Sequence, residues 1–247
     1  MQRAQPRVPS APQPAMAARE MVAKAEGFAE KAFFEYHLYT LGRPATLANN
    51  STKQIELFPQ AAGVGCEKTL VYAGAPVTWY PPSPATDRNF GVPSNRKVDV
   101  YLAMKNSAAN GLGVPLPAGR IRVARQDAAD GSLEFIGEDL IDHTPRDETV
   151  RIRLGSAFDV VGERRQVDYR VDSSARWIEE DIEVKVRNQK KEAVTVVVKE
   201  NLYRWTSWQI TQKTHDFQKQ DARTVHFPVK IAAGGEVTVR YTAHYTW

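Results

Sequence analysis

The stretch DIEVKVR, residues 181–187, decides the fold class. Its Ile182, Val184 and Val186 alternate with Asp181, Glu183, Lys185 and Arg187. Successive side chains of a strand point to opposite faces, so this is a half-buried β-strand with one wet side. The closing EVTVRYTAHY, residues 236–245, does the same. Val237, Val239, Tyr241 and Ala243 share one face, and Thr238, Arg240, Thr242 and His244 share the other. Parallel strands buried on both faces would read as continuous apolar runs instead, which argues against an α/β sheet.

Outward from these strands the text stays β. FFEYHLYTL (33–41), KQIELF (53–58), KTLVYA (68–73), KVDVYLAM (97–104), RIRVARQ (120–126) and LEFIGEDLI (133–141) are expected strands, separated by Pro and Gly clusters such as YPPSP (80–84). After Pro145 come TVRIRL (149–154), AFDVVGE (157–163), QVDYRV (166–171), WIEEDIEVKV (177–186), AVTVVVKENL (193–202), SWQIT (207–211) and RTVHFPVKI (223–231). Residues 188–191 and 233–235 read as hairpin turns. About seven strands per hundred residues suits an immunoglobulin-like sandwich. The expected fold is therefore all-β: two immunoglobulin-like antiparallel sandwiches in tandem, 33–145 and 146–247. An Ala/Pro-rich linker, 1–32, precedes them. Residues 1–14 lack periodicity and are expected to be disordered, and 15–31 have only a helical tendency.

Charge excludes little but sets a direction. The net charge of +4 and a pI of about 9.1 suggest a polyanion binder. Half of that excess lies within 1–32, however, and the rest of the chain mixes both signs as an ordinary surface does, so no nucleic-acid partner is expected. The one cysteine, Cys66, rules out an intramolecular disulfide and a cysteine-built zinc site. No apolar run approaches the ~20 residues of a membrane span. The first residues have no signal-peptide core, so the chain is expected to be cytosolic or to lack its natural start.

Several passages together resemble one bacterial family. They are FFEYHLYTLGRPATLANNSTKQIELF (33–58), NGLGVPLPAGRIRV (110–123), FIGEDLIDHTPRDETVRIRLGSAFDVVGERR (135–165) and VKIAAGGEVTVRYTAHYTW (229–247). In their order they are similar to the family catalogued as domain of unknown function 4139, found among mucoidy-inhibitor-like proteins. The resemblance covers about 33–247. It implies a mostly β protein, usually the C-terminal half of a longer envelope protein, and hence a periplasmic or cell-envelope location. It implies no activity, cofactor or catalytic residue.

Three groups of side chains stand out as candidate sites. Asp139, Asp142, His143, Asp147 and Glu148 crowd into GEDLIDHTPRDE (137–148) and could supply hard-metal ligands for a hydrolase-like enzyme. The plainer reading is a connection between strands, with Pro145 forcing Thr144 to be extended. Arg120 and Arg122, with Arg151 and Arg153, alternate with apolar residues and project in pairs. Joined by Arg164 and Arg165 they could form a basic stripe for an acidic polysaccharide or phosphate, or simply a solvated face balanced by Glu163 and Asp168. Trp205 and Trp208 could stack on sugar rings as a carbohydrate-binding module, or plug the core. His226 and His244, on either side of the last expected hairpin, form a further, incomplete metal pair.

The Gly-rich 110–119 lacks the Lys-Ser/Thr of a phosphate loop, and there is no nucleophile elbow, HExxH or CxxC. No cofactor is called for. A non-catalytic envelope module is expected, with a protein or envelope polysaccharide as partner and a homo-oligomer through edge strands as a further option.

Overall fold

The computed structural model describes residues 28–247 apart from 54, 56, 59, 76 and 78. Regular structure there is strand, besides a single 3-10 turn at Ala108–Asn110. The strands are β1 (Phe28–Phe33), β2 (Tyr36–Leu41), β3 (Cys66–Tyr72), β4 (Lys97–Lys105), β5 (Gly119–Gln126), β6 (Leu133–Ile141), β7 (Thr149–Asp172), β8 (Trp177–Asn188), β9 (Val194–Asn201), β10 (Trp208–Lys213), β11 (Gln218–Lys219), β12 (Thr224–Ile231) and β13 (Glu236–Thr246). The described residues are all-β, as the alternation dictates.

Nine strands form one sheet in the order β10-β13-β8-β7-β4-β3-β9-β12-β11. Every pairing in it is antiparallel except the short β3–β9 contact. β12 and β13 follow each other in the chain yet stand near opposite ends of this order. Phe227 of β12 nonetheless stacks on Tyr241 of β13, with ring centroids 5.4 Å apart. The sheet is thus folded over. β10-β13-β8-β7 make one layer, β9-β12-β11 the other, and β4 and β3 join them along one side. Between the layers lie Ile182, Val184 and Val186 of β8, Val196 and Val198 of β9, Val229 and Ile231 of β12, and Val239 and Ala243 of β13. Two further hairpins, β1–β2 and β5–β6, project outside this sheet.

One sheet runs across the expected division at residue 145. β4 pairs with β7 and β3 with β9, so hydrogen bonds run straight across that boundary. The strand order also departs from the immunoglobulin one. There, strands A, B, E and D share a layer and C, F and G share the other. Among β7–β13, the last strand joins the four-stranded layer and the fifth, β11, joins the three-stranded one. The expected turns at 188–191 and 233–235 are not hairpins either, because neither β8–β9 nor β12–β13 is a pair. Each passes from one layer to the other. Buried Asn188 fastens the two crossings together. Its Nδ2 donates to the carbonyls of Glu192 (2.8 Å) and Ala232 (2.9 Å), and its Oδ1 accepts from Lys190 N–H (3.0 Å).

Smaller differences are local. The strand expected over 33–41 breaks at Phe34, which takes φ 57°, so that β1 and β2 form a hairpin. Residues 28–32, expected within the linker, belong to β1, while 1–27 lie outside the described residues. The described residues of 53–58 are not strand. The three short strands expected over 149–171 are one long β7, which pairs with β4 in its first half and β8 in its second.

Candidate functional site

Charges interrupt the inward parity of three strands. β8 sends Ile178, Ile182 and Val184 inward, and Glu180 lies in phase with them. β9 places Glu200 in phase with Val194, Val196 and Val198. β7 places Arg164 in phase with Val160 and Gly162. Arg204, just beyond β9, enters the same region. All four are at most 4% exposed. Alternation forces these side chains into the core, so each needs a partner there.

The partners are one another. Arg164 Nε donates to Glu200 Oε2 at 2.8 Å, and the same oxygen accepts from the Tyr241 hydroxyl. Arg204 Nε lies 2.8 Å from Glu180 Oε1, an ion-pair contact off the hydrogen-bonding line. Glu180 Oε1 also accepts from Tyr203 Oη (3.1 Å) and Gln166 Nε2 (2.9 Å). Arg204 then donates to four backbone carbonyls: Nη1 to Ala85 and Asp87 at 2.7 Å each, and Nη2 to Arg88 (3.1 Å) and Phe90 (3.2 Å). A planar fork with five N–H donors can hold such a cage, and an ammonium cannot.

Those carbonyls belong to the long segment 73–96 between β3 and β4. Tyr169 Oη donates to Thr86 O and Tyr72 Oη to Asn95 O (2.8 Å), so the same segment is held at three places. Gly91 sits at φ +74°, and a Cβ there would stand 2.4 Å from the Tyr203 ring. Only glycine lets the segment lie this close.

Two arginines and two glutamates leave the cluster neutral. Burial, reinforced by Glu180, raises the Tyr203 hydroxyl pKa far above its ordinary value. Burial and then Glu200 do the same to Tyr241, and burial and Glu180 to Tyr245. Burial acts to lower the pKa of Arg164, but the Glu200 carboxylate outweighs it and holds the guanidinium firmly charged. These phenols are held away from proton release near neutral pH, the reverse of what a general acid needs. The arrangement bolts strands and segment together.

Apart from Arg164, the residues singled out from sequence lie outside this cluster and do not converge. Among the described residues no group of three or more His, Cys, Asp or Glu is arranged to hold a metal ion. Asp139 Oδ2 accepts from Arg153 N–H (2.7 Å), and Oδ1 accepts from Leu140 N–H (2.9 Å). His143 Nδ1 accepts from Ala118 N–H (3.2 Å). Asp142, Asp147 and Glu148 are exposed. Their segment is a strand connection pinned to buried Asn106, which exchanges backbone bonds with Asp147 and Glu148 and donates to Pro145 O.

The basic stripe dissolves likewise. Arg120 and Arg122 both bind Glu138, Arg153 binds Asp99 at 2.9 Å, and Arg151 lies over the Tyr101 ring at 4.4 Å. Arg164 is buried. Arg165 instead shares Glu183 with Arg240, each donating from Nε at 2.7 Å. Those two hydrogen bonds hold the Glu183 carboxyl below its ordinary pKa. Trp205 and Trp208 are half-buried against the core. Trp208 Nε1 donates to Ala222 O (2.8 Å), and Lys219 lies over its ring at 4.7 Å. His226 and His244 are in separate layers and form no pair; His244 stacks on Trp177.

Sequence reading missed Glu180, Glu200 and Arg204 as a unit and misplaced Arg164. The available signal was parity: a lone charge in phase with valines and isoleucines is buried and must be paired.

Compared with family models, curated proteins and solved structures, the chain matches none.

Proposed function

We propose that this chain is a non-catalytic binding or scaffolding module of the bacterial cell envelope, as its resemblance to domain of unknown function 4139 implies. The observation that supports the reading is the β5–β6 hairpin. One of its faces meets β7 where Gly137 approaches Leu154 so closely that a Cβ would stand 2.9 Å from the Leu154 carbonyl oxygen. Its other side leaves Leu133, Phe135 and Leu140 exposed. A two-stranded ribbon is marginal in water, so an arm carrying bare Leu and Phe is suited to being covered by a partner. The ionisable cluster beneath segment 73–96 is spent on internal pairing, which favours scaffold over catalyst. A protein or an envelope polysaccharide remains the proposed partner. Kinship with immunoglobulin-like sandwiches belongs to the same proposal and rests on the four-plus-three division of β7–β13.

Affinity capture from bacterial envelope extract tests this, with the full chain and Phe135→Ser/Leu140→Ser as parallel baits. A partner retained by the first and lost by the second is expected. Recovery of the same material by both, or of none across several buffers, would remove the support.

A further inference from the structure

The tip of the β1–β2 hairpin is aromatic and bare. Phe33 is 66% exposed, Phe34 89% and Tyr36 72%. Cross-strand register puts Phe33 opposite Tyr36 and Lys31 opposite Leu38, on one face of the ribbon. The other face carries the hydrogen bond between His37 Nδ1 and Glu30 Oε1 (2.7 Å). It also carries Tyr39, whose hydroxyl donates to Pro115 O (2.8 Å) and whose ring meets Phe58 edge-on. The ribbon is therefore fastened near its base, and its apolar face and tip project. At the apex Phe34 holds φ 57°, a left-handed conformation that turns ordinarily give to Gly or Asn. Backbone strain kept at an exposed aromatic points from the outlier toward a use for it.

We infer that this hairpin docks on a lipid surface. Area argues against a second copy of the chain as occupant. Three rings exposed to this degree offer on the order of 450 Å², whereas a stable protein interface takes about 800 Å² from each partner. A narrow, convex tip needs no matching groove if the apolar phase is fluid. The face has the composition of an interfacial element: rings and Leu38 for the acyl boundary, the Tyr36 hydroxyl at headgroup depth, and Lys31 reaching back to lipid phosphate. Glu35 beside Phe34 limits the depth, so the tip lies in the interface and does not cross it. The inference does not rest on the scaffolding proposal, because it involves a different hairpin and a different partner.

Flotation with vesicles of equal phosphatidylcholine and phosphatidylglycerol tests it on the full chain. Phe34→Gly suits the left-handed turn and leaves the fold intact, which an unchanged or raised melting temperature confirms. Combined with Tyr36→Ser it is expected to lower vesicle partitioning about tenfold or more. Wild-type protein that stays with the aqueous fraction, or that floats no better than the double variant, overturns the inference. So does vesicle-free self-association that the double variant abolishes, which would assign the tip to a second copy.

Discussion

Arg164 separates two accounts of a buried charge, as a stabiliser or as a hostage to its partner. Replacing it with Met strands the Glu200 carboxylate, and removing one member of a buried pair costs about 3–5 kcal/mol. Replacing both, Arg164→Met with Glu200→Leu, is expected to cost less than the single change, because no charge is left unpaired. Chemical denaturation of the two variants measures this directly. A double variant less stable than the single one would mean that the ion pair itself stabilises the fold. His226 gives a pH test. Partial burial, then Lys199 and Arg151, hold it below its ordinary value of 6.5. The unfolded chain therefore takes up that proton first as pH falls. The stability at stake is fully present above 6.5 and is lost as pH drops toward the lowered folded value. His226→Gln is expected to flatten that part of the stability–pH curve, and an unchanged slope would refute the assignment.

Segment 73–96 depends, as an element, on Arg204. Lysine keeps the charge but cannot reach the carbonyls of Ala85, Asp87, Arg88 and Phe90 together. Arg204→Lys is expected to speed proteolytic cleavage within 73–96 several-fold while β7–β9 stay protected, and equal cleavage rates would contradict this. The two layer crossings depend on Asn188 in the same way. Asn188→Ala leaves the Glu192 and Ala232 carbonyls without their donor and should cost about 1–3 kcal/mol.

These elements also mark where sequence reading worked. β6 is legible residue for residue, because it lies between clear turn signals, although a bulge at Ile136 interrupts its alternation. The 233–235 turn was misread because a Gly-Gly turn between two alternating strands looks the same whether the strands pair or face each other across a core. What decides is the distant pairing of β12 with β9 and of β13 with β8, and no local residue encodes it. The parity of Glu180 and Glu200 was legible, but their partners come from β7 and from beyond β9.

At the scale of the whole molecule, strands from both sides of residue 145 share one folded-over sheet, with β4 and β3 between β7 and β9. The outer face of β7, β8 and β13 carries cross-strand pairs such as Arg187–Glu163 and Lys185–Glu236, a wet and self-balanced surface. Phe158, Val167 and Val171 of β7 are exposed apolar exceptions on that strand, as are Leu47, Trp79 and Tyr80 in loops, but the remaining large exposed apolar side chains gather on the two hairpins outside the sheet, where binding is proposed. The measurement that tests this organisation most directly is native-state hydrogen exchange on the full chain. β3 and β4 should exchange as slowly as β7, β8 and β9 and open with them in one cooperative event, while β1–β2 and β5–β6 exchange early. Exchange in two independent blocks meeting near residue 145 would contradict it.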